Sequence, residues 1–289
     1  MVKLNGSIFG YKYFGNGEIN FEDCAISAEN KIEFSFTSND DILALQIAVE
    51  YIRDTNPDST IEVEFRYLPY SAMDRKMGNQ LFTLKYLANI INKLEVDTIK
   101  VFDAHNMEVL SKLIPGVEYS SISRYTNFVI KAFKPDFIYF PDKGAYKKYP
   151  SMISTHGIPT GYGNKVRDIN DKGKIVEYNV VTDGFNFEGK RVLIIDDICR
   201  RGGTFIHAAT ELKKLGASEV GLYVSHCEEG ILSSGLLEKD SIIDKIYTTS
   251  SENKFIDVMF RMKNDIDDKK ITILWLSNKF NYKLILTCN

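Results

Sequence analysis

The sequence predicts an α/β protein of two domains, each a mostly parallel sheet flanked by helices, and three observations carry that reading. Strand-like and helix-like segments alternate along the chain, as βαβ units require. The run Val192-Leu193-Ile194-Ile195 is continuously apolar, the pattern of a strand covered on both faces rather than one with a solvated side. The chain has 289 residues, which at roughly 150 residues per domain allows two cores of ordinary size.

The elements follow in order. Polar Ser38-Asn39-Asp40-Asp41 precedes apolar residues spaced three to four apart, which predicts a helix from Ile42 to about Asp54. Ile61-Glu62-Val63-Glu64-Phe65 alternates as a strand does, and Leu68-Pro69-Tyr70 ends it. Leu81, Leu84, Leu87, Ile90, Ile91 and Leu94 form a helical stripe, and Thr98 to Phe102 is the next strand. The second half repeats this grammar with Phe137 to Phe140, Val192 to Ile195, a helix from about Thr204 to Leu215 stopped by Gly216, and Val220 to Val224. The two strands ending Phe102-Asp103 and Ile195-Asp196 hint at similarly wound domains. The charged, proline-bearing turn at Lys134-Pro135 places the boundary, giving domains 1–134 and 135–289.

Composition narrows the classes. With 44% hydrophobic and 26% charged residues the chain is of ordinary globular type. Lys plus Arg number 36 against 39 Asp plus Glu, a net charge of -3, so no global field holds a polyanion and nucleic-acid binding is disfavoured. Cys24, Cys199, Cys227 and Cys288 contain no Cys-x-x-Cys pair and read as reduced thiols. No apolar run approaches the ~18 residues of a membrane span and no signal-peptide core follows Met1, so a soluble, cytoplasmic protein is expected.

The strongest local signal is Arg191 to Thr204, a buried strand followed by Asp196-Asp197, Arg200-Arg201, Gly202-Gly203, a hydroxyl and a helix. This is the order of a phosphate cradle. Glycines let backbone N–H groups face an anion, Thr204 adds a hydroxyl, and the helix N-terminus adds partial positive charge. Asp196 and Asp197 are placed to bind sugar hydroxyls or a divalent ion. The lysine and spacing of a Walker loop are absent. A plain glycine turn with acids capping the helix would show the same residues.

The arrangement resembles the ribose-phosphate loop of phosphoribosyltransferases, and six segments in order resemble the ribose-phosphate pyrophosphokinases over nearly the whole chain. Phe14-Gly15-Asn16-Gly17-Glu18 resembles that family's nucleotide hairpin, and Asn39-Asp40 its next helix start. Phe65 to Arg75 resembles the segment ending in arginine-glutamine-aspartate-arginine, of which Asp74 and Arg75 match while Ala72 and Met73 do not. Phe102-Asp103-Ala104-His105 resembles the metal motif, Pro141-Asp142-Lys143-Gly144 the proline-aspartate-x-glycine turn, and Asn164-Lys165-Val166-Arg167 the mobile basic loop.

The resemblance implies two phosphoribosyltransferase-like domains and a transfer of the β,γ-diphosphate of ATP to the anomeric hydroxyl of a ribose 5-phosphate moiety. It implies Phe14, Asn16, Glu18, Asp74, Arg75 and His105 as ATP-binding residues, Lys165 and Arg167 as catalytic, and His105 and Asp142 as Mg2+ ligands. Asp196, Asp197, Arg200, Arg201, Gly202, Gly203 and Thr204 would hold the acceptor, and the hairpin implies a homodimer or higher homo-oligomer. Where the family has an acid and a threonine this chain has Arg200-Arg201, donors suited to phosphate. The acceptor is therefore either ribose 5-phosphate or a larger 5-phosphate ester such as ADP-ribose. A catalytically weak regulatory paralogue and a phosphoribosyltransferase are the alternatives. Lys147 and Lys148 read as a solvated turn, His156, His207 and His226 as surface or packed imidazoles, and Glu228-Glu229-Gly230 as a loop without a task.

Overall fold

Along residues 60–67 burial alternates strictly, with Ile61, Val63 and Phe65 inside and Glu62, Glu64 and Arg66 half-buried on the other side. The period of two makes this a strand with one apolar and one polar face. The computed structural model describes residues 1–149, 157–168, 174–262 and 270–276, with the backbone alone at 165–168 and 174–177. Contacts divide the chain into two units, Met1–Ser121 with Ser251–Asn253, and Ile122–Ser250 with the described residues from Lys254 on.

The first unit comprises β1 (Val2–Leu4), β2 (Ser7–Ile8), β3 (Tyr11–Tyr13), β4 (Ile19–Phe21), β5 (Glu29–Ser35), α1 (Asp40–Thr55), β6 (Thr60–Tyr67), α2 (Thr83–Asn92), β7 (Thr98–Phe102), α3 (Met107–Leu113) and β8 (Glu118–Ser120). Its sheet runs β2-β1-β5-β6-β7-β8, parallel from β5 to β8, and β3 and β4 form a separate hairpin. Because β5 to β8 are consecutive in sequence and in space, right-handed crossovers put α1, α2 and α3 on one face. The opposite face carries a ladder of ion pairs, with Lys31 Nζ 3.2 Å from Glu62 and 2.6 Å from Glu64, and Lys100 Nζ 2.5 Å from Glu62. Leu84, Leu87, Ala88 and Ile91 of α2 are buried, whereas Leu81 precedes the helix and is 63% exposed. The helical stripe expected from Leu81 to Leu94 is thus shorter, and Ile90 sits at its exposed margin.

The second unit comprises α4 (Ser123–Phe133), β9 (Phe137–Phe140), α5 (Lys143–Lys148), β10 (Thr160–Asp168), β11 (Lys174–Val181), β12 (Arg191–Cys199), α6 (Gly203–Lys214), β13 (Glu219–Cys227), a 3-10 turn (Glu229–Ser233), β14 (Lys245–Thr249), α7 (Asn253–Arg261) and β15 (Ile271–Leu274). The sheet order is β11-β10-β9-β12-β13-β14-β15, parallel throughout except for β11. Val192 to Ile195 are fully buried, as the continuous apolar run required. From β9 the chain goes to β10 on one side and then to β12 on the other. That reversal is a switch point, and in parallel sheets the crevice outside the carboxyl ends of the strands there is where ligands bind.

The division falls before α4, ahead of the turn at Lys134-Pro135. The reason is packing: the Phe133 ring lies edge-on to Tyr247, and a Cβ on Gly221 would come within 2.8 Å of it. Lys134 is the left-handed C-cap of α4, so the turn that looked like a linker is a helix stop inside the second unit. Among the described residues no helix is long and apolar enough to cross a membrane.

Candidate active site

The carboxyl end of β12 leads straight into the predicted cradle. Asp196 and Asp197 are still on the strand, so their side chains leave opposite faces, and the Asp197 N–H donates to Asp196 Oδ1 at 3.0 Å. Gly202 caps α6 in the left-handed region at φ 73°, and a Cβ there would stand 2.1 Å from Leu236 Cδ1. Only glycine fits both demands. Around Gly203, by contrast, nothing lies within 4 Å of a Cβ position. The first turn of α6 therefore opens onto free space, and the N–H groups of Gly203 and Thr204 have no acceptor within the helix. This is what a bound phosphate uses.

The arginine pair is tied to a loop that the sequence left without a task. Arg200 Nε lies 3.4 Å from Glu228 Oε1, with 47% of the arginine side chain exposed, and the Glu228 N–H donates to the Cys199 carbonyl at 2.8 Å. A Cβ on Gly230 would meet the Arg200 carbonyl at 2.6 Å and Arg201 Cγ at 3.2 Å. Glycine at 230 is what lets the two loops pack.

At the end of β9, Asp142 caps α5, its Oδ1 accepting from the Ala145 N–H at 3.0 Å. The same short helix carries Lys148, whose Nζ is 3.3 Å from Asp197 Oδ2, with side-chain exposures of 10% and 5%. Lys148 is thus a buried counter-ion rather than part of a solvated turn; its partner is far away in sequence, and nothing local announces it. His207 is exposed and His226 buried, while His156 and Cys288 lie outside the described residues.

Residues 160–168, expected to include a loop bearing Lys165 and Arg167, form β10, paired antiparallel with β11 with a register shift between Val166 and Arg167, so that the Lys165 backbone stands opposite Tyr178 and that of Arg167 opposite Ile175. The glycines at 161 and 163 are explained by packing. A Cβ at 161 would meet the Val181 carbonyl at 2.5 Å, and one at 163 the Tyr178 hydroxyl at 2.2 Å. Pairing of β10 with β9 ends at Tyr162 opposite Phe140. Beyond it the strand overruns β9, reaching about 10 Å past the last β9 pair at Lys165 and about 16 Å at Arg167, while β12 and β13 stay paired as far as Cys199 and Cys227. It overruns on the side where Asp142 and the cradle lie.

The acidic residues at this edge strain one another. Burial, followed by the charges of Asp197 and Asp142, holds the Asp196 carboxyl well above the usual carboxylate range. The same neighbourhood, with burial first, pushes the Tyr178 hydroxyl up to about 12. A raised carboxyl costs no stability below its unfolded pKa of about 4 and progressively more as pH rises toward its folded value. Asp196→Asn should therefore raise the melting temperature more at pH 8 than at pH 5; equal gains at both pH values would show that charge does not strain the site.

In the first unit the nucleotide residues are mostly at the surface. The turn between β3 and β4 is closed by Phe14 N–H to Glu18 carbonyl at 2.9 Å, and Asn16 Nδ2 donates to Glu18 Oε2 at 2.6 Å. Phe14 at its tip is 56% exposed, with no core to explain it. Asp74 Oδ2 accepts from Asn106 Nδ2 at 2.7 Å, and Asn106 caps α3, so the Asp74-Arg75 and His105 segments are brought together. Arg75 and His105 are exposed. Asp103 is buried with φ at 45°, in a turn after β7, unlike Asp196, which remains on its strand.

Paired acids leading from a buried strand into a glycine-opened helix start, at a switch point of a parallel sheet, are the marks of a phosphoribosyltransferase-type domain. Residues 118–265 match the family described as phosphoribosyl transferase domain. The ribose-phosphate pyrophosphokinase of Campylobacter jejuni is 26% identical over 251 residues, 84% of this chain and 78% of that one. That of Pyrococcus abyssi is 29% identical over 185 residues, 63% of this chain and 61% of that one. The crystal structure of phosphoribosylpyrophosphate synthetase from Mycobacterium smegmatis superposes with a TM-score of 0.72 at 18% identity, covering 92% of this chain and 85% of that one, which shows the fold. The chain belongs to the ribose-phosphate pyrophosphokinase family, as a divergent member.

Proposed function

We propose that the protein is an ATP-dependent diphosphokinase acting on the anomeric hydroxyl of a ribose 5-phosphate moiety. The observation that supports this most is the overrun of β10 beyond β9, which carries Lys165 and Arg167 to the carboxyl end of the sheet, the end where Asp142 and the cradle lie. In the reaction the anomeric hydroxyl gives up its proton to water, its oxygen bonds to the β-phosphorus of ATP, the α,β-bridge breaks, and AMP leaves. Charge on the phosphates is the obstacle, so cations and positioning dominate. Lys165 and Arg167 meet the charge on the transferred group, the α6 N-terminus with Gly202, Gly203 and Thr204 holds the 5-phosphate, and Asp196 and Asp197 bind the ribose hydroxyls. Phe14, Asn16, Glu18, Asp74, Arg75 and His105 serve ATP.

The donor set suits Mg2+. Oxygen ligands beside a phosphate substrate, with one or two protein groups and the rest water, are what that ion takes, and the Asp196 carboxyl, raised first by burial and then by the charges of Asp197 and Asp142, is a group whose charged form a cation favours. Asp142 supplies the carboxylate oxygen, and the ion would screen the β-phosphorus from its own oxygens. The exposed hairpin tip at Phe14 supports a homo-oligomer in which it serves a neighbouring copy.

Two acceptors fit the reading. The exposed Arg200 guanidinium favours a 5-phosphate that continues into a larger ester, with ADP-ribose the candidate, whereas its pairing with Glu228 is compatible with ribose 5-phosphate. Incubation with ATP, Mg2+ and each acceptor, with products identified by mass, should give AMP and the corresponding 1-diphosphate. No product from either acceptor would favour the regulatory paralogue. Replacing both arginines, Arg200→Asp with Arg201→Thr, should weaken ADP-ribose binding about tenfold or more, since a charged hydrogen bond is worth ~1.5 to 3 kcal/mol before solvent screening. Ribose 5-phosphate should lose less, and equal losses would make the arginines general phosphate ligands.

A further inference from the structure

We infer that Tyr178 is a positioning residue that locks the strand bearing Lys165 onto the Asp142 turn, an inference that rests on the catalytic reading of Lys165. Tyr178 lies on β11 directly opposite Lys165 in the register of the hairpin. Its hydroxyl donates to the Pro141 carbonyl at 3.2 Å and accepts from the Tyr139 hydroxyl at 3.2 Å. Pro141 is the residue before Asp142, so one hydrogen bond ties the catalytic hairpin to the backbone that sets the acid.

The ring also fixes β10 itself. A Cβ at Gly163 would stand 2.2 Å from the Tyr178 hydroxyl oxygen and 2.6 Å from the Pro141 carbonyl oxygen. The hydroxyl, the glycine backbone and the carbonyl are therefore stacked with no room for a side chain, two residues before Lys165. β10 has lost its partner β9 after Tyr162, and from there only β11 among the described strands pairs with it. A strand that has outrun one of its two partners needs another restraint if a side chain near its end is to meet a reacting phosphate, because displacement by about 1 Å can cost on the order of a hundredfold in rate. Tyr178 supplies that restraint at the point where the ladder with β9 stops.

Core packing alone would explain the Tyr178 ring but not the line of hydroxyls from Tyr139 to Pro141, and the two roles separate by experiment. Tyr178→Phe keeps the ring and removes the hydroxyl. At saturating ATP and acceptor, Tyr178→Phe should lower kcat about tenfold with KM values changed by less than about twofold, and in a Lys165→Ala background it should lower kcat no further. Tyr139→Phe leaves the Tyr178 bond to Pro141 in place and should keep kcat within about twofold. Unchanged turnover in Tyr178→Phe, or the same fractional loss with and without Lys165, would overturn the positioning role. Full turnover of Lys165→Ala by itself would instead overturn the reading of Lys165, and this inference with it.

Discussion

Lys165→Ala and Arg167→Ala should each lose about a hundredfold or more of kcat while melting within a few degrees of the unaltered protein. The size follows from what these cations are assigned to do. They meet charge that is greatest in the transition state, and removal of one such electrostatic contact costs ~10²-fold or more. The preserved stability follows from their place on the part of β10 that has run beyond β9, where pairing is with β11 alone among the described strands. The loss should fall on kcat more than on KM, because binding common to ground and transition states would show the opposite split. Steady-state kinetics with ATP and each acceptor, beside thermal melts, checks both halves. Near-normal rates in both variants would remove the hairpin from the chemistry.

What the sequence disclosed follows the range of the forces involved. The β12 to α6 segment was legible because its signals are local: an apolar run, two acids, two glycines and a helix start lie within Arg191 to Thr204. β10 is not announced locally: Asn164 to Arg167 resembles a family's mobile loop, whereas Gly161 and Gly163 answer to Val181 and to Tyr178, contacts that form only when the hairpin closes. Lys148 and Glu228 escaped for the same reason, since each meets its partner, Asp197 or Arg200, across a crossover of the sheet. The exposed Leu81 looked like the first turn of α2 because apolar spacing does not show where a helix begins. In the first unit, Phe14, Arg75 and His105 are exposed. Folding does not dictate such residues, and only the likeness of their segments to a family pointed to them.

The Lys148–Asp197 pair separates a structural duty from a functional one at the same carboxylate. With side chains 10% and 5% exposed and 3.3 Å between Nζ and Oδ2, both charges are largely out of water. Removing one partner of such a pair leaves an uncompensated buried charge and costs about 3 to 5 kcal/mol, which for a domain of this size is roughly 6 to 20 °C in melting temperature. Lys148→Met should show this loss, because Asp197 is then left beside Asp196, whose carboxyl burial, followed by the charges of Asp197 and Asp142, already holds well above its usual range. Asp197→Leu should destabilise by a similar amount through the stranded ammonium. The double variant, Lys148→Met with Asp197→Leu, buries no charge at this position and should recover most of the stability, since replacing a buried pair by apolar side chains is often neutral. Turnover should not return with it, because Asp197 is also assigned to the acceptor's ribose hydroxyls, and leucine offers them no acceptor oxygen. A double variant that regains the melting temperature and the rate together would make Asp197 a counter-ion only, and the ribose contact would then rest on Asp196.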